Sequence, residues 1–315
     1  SLRLRGSDQT RINVTINGVP LNDSESQQVY YVDIPDLFSS ASSIQIQRGV
    51  GISTVGNGSF GGQIDISTMS QNKEAYGTIE YSLGSYKSSK QSVGFGSGLI
   101  KNKIIFDGRI SNIKSDGYID RASSDLKSYY LSSQFNSEKT LIQLISFGGI
   151  EETYQAWYGV PVTYALNKDL RKYNYYTYEN QVDHYEQIHH QAHLHHTFNK
   201  KLELSSTLHY THGEGYYESF DNGYYGFGTE IGNYINAFSY LRDPDNYLIN
   251  PNDMADIVNR KWLDNDYYGL ILKTNYQNKN FSNTSGFSVN KYDGNHFGKI
   301  VSINDENYTN CLLYT

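Results

Sequence analysis

Residues 43–69 read SIQIQRGVGISTVGNGSFGGQIDISTM, and this stretch decides the fold of the chain. Apolar and polar side chains alternate around Ile44 and Ile46, and they alternate again around Ile64 and Ile66, which is the period of a β-strand. Four glycines lie within seven residues between the two segments, at positions 56, 58, 61 and 62. Glycine adopts positive φ angles readily, so the pattern predicts two strands joined by a glycine-rich turn.

The spacing Gly56-x-Gly58-x-x-Gly61 also matches a dinucleotide-binding fingerprint. That fingerprint requires a helix directly after the glycines, because the N-terminus of the helix holds the pyrophosphate. Here the following residues, Gly62-Gln-Ile-Asp-Ile-Ser-Thr68, alternate with a period of two. We therefore interpret the glycines as turn residues and do not expect a nucleotide.

Upstream motifs extend the pattern toward the N-terminus: Leu4-Arg5-Gly6, Arg11, and Thr15-Ile16-Asn17-Gly18-Val19-Pro20-Leu21-Asn22-Asp23. Together with the Ile-x-x-x-Arg-Gly strand at 44–49 and the Gly-Gly at 61–62, they resemble the end of the plug domain of TonB-dependent outer-membrane transporters. Asn17 stands where an aspartate is common in that family. The resemblance covers most of residues 1–70.

The composition of the 315 residues fits a protein whose strands, not helices, cross a membrane. The chain contains 30 Tyr but only 5 Pro, and no segment approaches the ~18 apolar residues of a membrane helix. Transmembrane strands need only ~9–11 alternating residues. The net charge of −7 argues against nucleic acid as a partner, and the single Cys311 excludes a disulfide framework or a multi-cysteine metal site.

After the plug pattern the chain alternates regularly between strands and connections. Nine segments alternate in polarity, at 76–83, 89–99, 104–113, 127–135, 140–149, 185–198, 202–211, 266–276 and 281–290, and 308–315 is a possible tenth. Tight turns (100–103, 136–139, 199–201 and 277–280) alternate with longer loops (114–126, 150–184 and 212–265). Outer-membrane barrels combine short periplasmic turns with long extracellular loops, so we expect this orientation here.

The strand faces agree with a barrel wall. In 202–211 one face carries Leu202, Leu204 and Leu208, and the opposite face is polar. A similar row in 266–276 places Tyr268, Leu270 and Leu272 on the lipid side. The segment 140–149 is apolar on both faces, so its orientation cannot be read from the sequence.

A soluble β-sandwich also has alternating strands, but its loops would not be segregated by length. We therefore predict an all-β membrane protein. The resemblance further implies that it is part of a 22-stranded antiparallel transmembrane β-barrel, together with the C-terminal part of an α+β plug domain. Residues 1–70 are assigned to the plug, and 71–315 to about nine or ten barrel strands. The chain begins at Ser1 without a signal peptide, so we expect an N-terminal segment and further barrel strands beyond it.

The run from His189 to His196 is the strongest metal candidate. On a strand it places His189, His193 and His195 on one face with Gln187 and Gln191. We favour solvated histidines in the barrel lumen over a metal site, because zinc sites need three or four convergent ligands. Neither a resident metal nor a cofactor is expected. No catalytic constellation is present, so we do not expect an enzyme.

Candidate binding residues come from two places. By position, the plug loops that rise toward the outside of such transporters correspond to 24–30 and 57–59, which contribute Glu25, Gln27, Gln28, Tyr30, Asn57 and Ser59. The aromatic extracellular loops contribute Tyr154, Trp157, Tyr158, Tyr216 and Tyr217. Exposed aromatic residues offer large contact surfaces to a ligand. The alternative interpretation is that they pack loop against loop.

The resemblance implies a receptor in the cell outer membrane that imports a scarce nutrient, most closely an iron chelate such as a siderophore or haem. Its partners would be TonB with the inner-membrane energising complex, the chelate, and the surrounding lipid. The segment that contacts TonB would precede Ser1. Uptake of cobalamin or a glycan remains an alternative, as does a porin or adhesin that does not transport actively.

Overall fold

The computed structural model describes residues 3–4, 6–49, 60–68, 72–221 and 256–304. These residues form a four-stranded sheet near the N-terminus and a nine-stranded sheet after it. We call residues 3–68 the plug and the nine-stranded sheet the wall. The predicted boundary between residues 70 and 71 lies outside the described residues. Within the described ranges, no helix has the length and apolar character needed to cross a membrane.

The plug sheet contains β1 (Ile12–Ile16), β2 (Val19–Pro20), β3 (Ser43–Arg48) and β4 (Gly62–Ser67), in the order β2-β1-β4-β3. Strands β1 and β4 are parallel, and the other pairs are antiparallel. Short 3-10 helices lie at Gln9–Arg11 and Leu37–Ser40. The sequence therefore predicted the two strands around the glycine-rich turn correctly, while residues 50–59 of that turn lie outside the described part.

Two local features explain why the plug sequence folds in this way. Asn17 and Gly18 have φ angles of 54° and 82°, so they form the two-residue turn that joins β1 to β2 and that Asn-Gly favours. At Gly62 a Cβ atom would lie only 2.6 Å from the carbonyl oxygen of Gln47. The second glycine of the Gly-Gly pair is therefore required by the close pairing of β3 with β4.

The wall is an antiparallel meander in which each strand pairs with the next. Its strands are β5 (Ala75–Leu83), β6 (Ser89–Ser97), β7 (Ile104–Ser115), β8 (Ser124–Asn136), β9 (Thr140–Tyr154), β10 (Val182–Asn199), β11 (Leu202–Asp221), β12 (Asp256–Gln277) and β13 (Ser282–Asn304). A short helix, α1 (Val162–Leu166), lies in the β9–β10 connection. The nine predicted strands are all present, and the possible tenth, 308–315, lies outside the described residues.

Several strands extend further than the sequence predicted. Strand β11 continues to Asp221 instead of ending at residue 211, and β12 begins at Asp256 instead of residue 266. In this region the sequence does not show the alternation of apolar and polar side chains, because Gly213 and Gly215 occupy inward positions. A Cβ at Gly213 would lie 2.1 Å from the Tyr185 hydroxyl, so both glycines make room for the Tyr185 side chain. The predicted loop 212–265 is therefore partly strand.

The connections are segregated by length, as predicted. At one end of the wall they comprise 98–103, 137–139, 200–201 and 278–281. At the other end are 84–88, 116–123 and 155–181, while the β11–β12 connection lies mostly outside the described residues. The first of these, 84–88, is short although it lies at the long-loop end.

The two faces of the wall differ in character. Apolar side chains that are between 39% and 56% exposed form a band on the outward face; they are Phe95, Phe106, Phe135, Leu131, Leu144, Leu208 and Val289. On the inward face, Tyr130, Ile145 and Phe147 are buried against the plug core. Leu208 of the predicted β11 row belongs to this band. The buried side chains of Ile145 and Phe147 also orient β9, the strand that the sequence left ambiguous, since they point inward.

A buried ionic cluster attaches the plug to the wall. Asp36 of the plug has a side chain that is 8% exposed, and it accepts a hydrogen bond from Lys90 Nζ at 2.9 Å. The Arg109 guanidinium pairs with the same carboxylate and also donates to the Asp36 carbonyl oxygen at 2.9 Å. Burial alone raises the pKa of Asp36, but hydrogen bonds from Ser39 and Lys90 and the charge of Arg109 bring it below its ordinary value of 3.8.

A second attachment is made by neutral side chains. The Asn17 amide donates to Gln191 Oε1 at 3.0 Å and to Thr68 Oγ1 at 2.9 Å, while its oxygen accepts from the Thr68 backbone N–H at 2.9 Å. Tyr130 donates to the Thr68 carbonyl oxygen at 2.8 Å. Asn17, which departs from the aspartate common in the resembling family, thus supplies donors that a carboxylate lacks.

We predict that Asp36→Ala lowers the free energy of unfolding of the plug by about 3 kcal/mol, because it leaves Arg109 buried without its partner. Because the pKa of Asp36 is depressed by folding, its contribution is present above the ordinary value of 3.8 and disappears as the pH falls through the folded value. The measurement is the urea concentration at which protease cleaves the plug of the detergent-solubilised protein.

The matched control is Asp116→Ala, which breaks the exposed ion pair with Lys87 (2.7 Å). Exposed pairs contribute at most about 1 kcal/mol, so this variant should behave like the wild type. Equal protease resistance of Asp36→Ala and the wild type would refute the attachment.

Candidate ligand-binding cavity between plug and wall

Residues 20–34 of the plug, which we call the apex segment, face the inner side of the wall. Asn22 fixes its start, since its side chain accepts from the Val14 N–H at 2.8 Å and donates to the Ile12 carbonyl oxygen at 2.9 Å. Asp23 then accepts from the Ser26 N–H at 2.6 Å and from the Ser26 hydroxyl at 2.8 Å. These side chains hold the segment in place without regular secondary structure.

A cavity of about 520 Å³ lies between the apex segment and the inward faces of β9–β13. Its lining combines carboxylates with aromatic rings. The carboxylates are Asp23, Glu25, Asp33, Glu151 and Asp183. The aromatic residues are Tyr30, Trp157, Tyr185, Tyr217, Tyr267 and Tyr292. Large rings with a few convergent polar groups are typical of sites for small molecules.

The structure brings together residues that the sequence placed in separate regions. Of the predicted plug residues, Glu25, Gln28 and Tyr30 line this cavity, and of the predicted aromatic residues, Trp157 and Tyr217 do so. Gln27 lines a neighbouring cavity of about 500 Å³ that also includes Tyr267 and Tyr292. The predicted Asn57 and Ser59 lie outside the described residues.

Three predicted aromatic residues do not line the cavity. Tyr216 lies on strand β11 and not on a loop, and its ring contacts Trp262 on the outward face, with centroids 4.7 Å apart. Tyr154 ends β9, is buried, and donates to the Tyr178 carbonyl oxygen at 2.6 Å. Tyr158 does lie on the long connection, where it stacks on Tyr176 at 5.3 Å. The loop assignment of Tyr154, Tyr216 and Tyr217 was wrong, because β9 and β11 continue further than the alternation suggested.

Aromatic packing and hydrogen bonds tie the β9–β10 connection to the rim of the wall. The Trp157 ring lies edge-on to Tyr217 at 5.5 Å and to Tyr176 at 6.3 Å. Arg121 donates to the carbonyl oxygens of Tyr176 at 2.7 Å and Asn174 at 3.0 Å. Trp157 therefore combines the two interpretations considered from sequence, since it packs loop against strand and also lines the cavity.

The carboxylates of the cavity influence one another. Burial, together with the negative charges of Asp183 and Asp23, raises the pKa of Asp33 to about 8. Glu151 on β9 is only 1% exposed, and its Oε2 atom has no hydrogen-bond partner. Sequence reasoning missed Asp33, Glu151 and Asp183. In the sequence they are single acidic residues in three separate segments, and only the fold brings Asp33 of the plug, Glu151 of β9 and Asp183 of β10 to one cavity.

Of the three histidines predicted to be solvated in the lumen, His189 is buried instead, whereas His193 and His195 are partly exposed. His189 is 5% exposed, stacks on Phe147 with centroids 4.5 Å apart, and shares a hydrogen bond of 2.9 Å with the Thr211 hydroxyl. His193 and His195 form hydrogen bonds of 3.0 Å with Thr207 and Ser205. The plug covers this face, so His189 is packed in place of being hydrated. Among the described residues, no group of three or more potential ligands is arranged to hold a metal.

Comparison with known proteins supports the fold. No protein-family model and no curated protein sequence matches the chain. Solved structures do: the copper transporter OprC has a TM-score of 0.62 at 14% identity, with 94% of this chain and 40% of that chain covered. The open form of the ferric-catecholate import receptor Fiu from Escherichia coli K12 gives 0.63 at 12%, covering 92% and 43%.

The ferripyoverdine receptor of the outer membrane of Pseudomonas aeruginosa is a third similar structure, with a TM-score of 0.60 at 13% identity and coverage of 95% of this chain and 38% of that chain. At these identities the similarity shows the fold alone. The chain thus has the fold of a plug and barrel wall of TonB-dependent outer-membrane receptors, which confirms the resemblance seen in the sequence. It spans about 40% of the length of these three structures.

We predict that Asp33→Asn stabilises the plug at pH 8 but not at pH 4. Folding raises the pKa of this carboxyl from 3.8 to about 8, so the unfolded chain releases the proton first and stability falls as the pH rises between these values. The asparagine side chain does not ionise, so the variant avoids this loss of stability. Its free energy of unfolding should exceed that of the wild type by at least about 1 kcal/mol at pH 8. Urea unfolding of the plug at both pH values measures the difference.

Asp169→Asn is the control, because Asp169 is an exposed carboxylate on the β9–β10 connection. It should leave the pH dependence unchanged. A wild-type-like pH dependence in Asp33→Asn would show that Asp33 is not protonated in the folded state.

Proposed function

We propose that this chain is part of an outer-membrane receptor that binds a small metal chelate, most closely an iron chelate, and imports it with energy supplied through TonB. The observation that carries the proposal is the cavity in which the plug apex segment meets Trp157 and Tyr217 of the wall. A ligand held by both parts is released when the plug moves. Such an arrangement couples binding to transport, which a passive pore does not need.

The similar structures support this class of ligand. They include a ferric-catecholate import receptor and a receptor bound to ferripyoverdine. Another is a copper transporter. A bare metal ion fits the present cavity less well, because the described residues include no group of three or more ligands suited to a metal. Cobalamin and glycans remain alternatives that the uptake experiment below distinguishes.

The outward band of apolar side chains supports a location in the outer membrane. Phe95, Leu144 and Leu208 are 51%, 53% and 56% exposed. An apolar belt of this kind around the wall would be unfavourable in water and is covered by lipid in a membrane. Aromatic side chains follow toward the long-loop end, where Tyr216, Trp262 and Phe297 are neighbours on the outward face. Such girdles mark the interface between lipid and water.

The experiment that tests the function is growth on a single iron source. Cells that depend on the intact receptor containing this chain should grow on a ferric chelate when TonB is present and fail when TonB is deleted. Growth on cobalamin or a glycan under the same requirement would select an alternative nutrient. Growth that is independent of TonB would contradict active import.

We predict that Tyr217→Ala and Gln28→Ala each weaken equilibrium binding of the transported chelate by about 1–3 kcal/mol, because each removes a contact from the cavity. The adjacent Tyr216→Ala should bind normally, since Tyr216 faces outward. Titration of the purified receptor in detergent measures the dissociation constants, and heat-modifiability on gels confirms that the barrel is folded. Equal weakening by Tyr216→Ala and Tyr217→Ala would argue against the cavity.

We also predict the orientation of the wall in the membrane. In a background with Cys311→Ser, a cysteine at Tyr175 on the long connection should react with an impermeant maleimide on intact cells. A cysteine at Lys200, on the tight turn at the opposite end, should react only after the cells are lysed. Preferential labelling at position 200 would invert the topology.

A further inference from the structure

The charge of the cavity is one-sided. Its lining includes the carboxylates of Asp23, Glu25, Asp33, Glu151 and Asp183, whereas no lysine or arginine is among the described residues that line it. Two histidines are present, and both already have partners. His296 Nε2 lies 2.9 Å from Glu25, and His189 Nδ1 forms a hydrogen bond with the Thr211 hydroxyl. A negatively charged ligand would therefore find no lysine or arginine to pair with among the described lining residues.

Among these carboxylates, Glu151 gives the strongest indication of a contact with a ligand. It lies on the inward face of β9, opposite Tyr185 of β10, and is 1% exposed. Its Oε2 atom has no hydrogen-bond partner, although buried carboxylate oxygens are usually paired. Because Glu151 also lines the cavity, a donor group on a ligand can reach it from there.

The pKa of a neighbouring carboxyl group, that of Asp33, reflects the same excess of acidic groups. The pKa of Asp33 is raised to about 8 by burial and by the charges of Asp183 and Asp23. A cation placed among these groups would stabilise the ionised form of each, so it would bind with a favourable charge interaction and release a proton from Asp33.

The aromatic part of the lining suits the same kind of group. Trp157, Tyr185 and Tyr217 contribute rings to the cavity wall. The faces of such rings attract ammonium and guanidinium groups, and tyrosine hydroxyls can accept hydrogen bonds from them. A bare metal ion is a poorer occupant, since the described residues provide no metal-binding group of three or more ligands.

We propose that this cavity recognises a positively charged amine or guanidinium group on the ligand, so that the substrate class is a chelate of neutral or positive net charge and not a polyanionic one. Glu151, Asp33 and Asp183 are the residues that contact the cationic group, and Trp157 and Tyr217 pack beside it. This inference rests on the proposed function and adds the charge of the ligand to it.

The test compares three probes on the intact receptor in detergent: a ferric tris-hydroxamate with a free terminal amine, the same chelate with the amine acetylated, and a ferric tris-catecholate of net charge −3. The amine-bearing chelate should bind at least about tenfold more tightly than the acetylated one, because charged hydrogen bonds are strong. The tris-catecholate should bind most weakly. Equal or tighter binding of the acetylated or anionic probe would overturn the inference while leaving the receptor function in place.

Variants separate the role of charge from folding. Glu151→Gln and, independently, Asp183→Asn should reduce the amine preference to about threefold or less. Glu152→Gln is the matched control, because Glu152 adjoins Glu151 but faces outward, where it lies 3.4 Å from His184. It should keep the full preference. If heat-modifiability shows that both cavity variants are folded, and both keep the full amine preference, the inference fails. If none of the three probes binds the wild type, the proposed function fails as well.

Discussion

The position of the plug depends on one constraint, which is that polar groups buried between plug and wall must find partners in each other. Asp36 meets this requirement with Lys90 and Arg109, and Asn17 meets it with Gln191. An unpaired member of either set would cost several kcal/mol in the case of the ions and about 1–3 kcal/mol in the case of the amides. The pairing therefore allows only one placement of the plug, and the apolar contacts of Ile145 and Phe147 with the plug core follow from it.

The cavity is a consequence of that placement. The apex segment follows strand β2 of the plug sheet, and the contacts described above hold that sheet in place. The position of the apex segment relative to β9–β13 is therefore fixed as well. Gln28 and Tyr30 then share a cavity with Tyr217 of a strand nearly two hundred positions later. Neither the plug nor the wall encloses this space alone. A ligand held there senses both parts, which gives a physical basis for coupling its release to movement of the plug.

Much of the fold could be predicted from sequence because the determining signals are local. The glycine-rich turn between two alternating segments, the Asn17-Gly18 turn, and the regular change between tight and long connections all act over a few residues. Strand ends were less visible. Gly213 and Gly215 interrupt the alternation of β11 only because the Tyr185 side chain of the neighbouring strand occupies their space, and no pattern within β11 reveals that. The strand position of Tyr216 was missed for the same reason. The acidic lining of the cavity was missed because it joins Asp33 of the plug to Glu151 of β9 and Asp183 of β10, which only the fold brings together.

The central claim is that plug and wall form one binding site, and photoaffinity labelling of the intact receptor tests it most directly. A ferric tris-hydroxamate with a terminal amine and a photoreactive group would be bound, irradiated, and mapped by mass spectrometry of the digested protein. The account predicts labelled peptides both from residues 20–34 of the plug and from the wall around residues 211–221, with both signals lost on competition by the unmodified chelate. Labelling confined to the wall, with the plug unmodified, would contradict it.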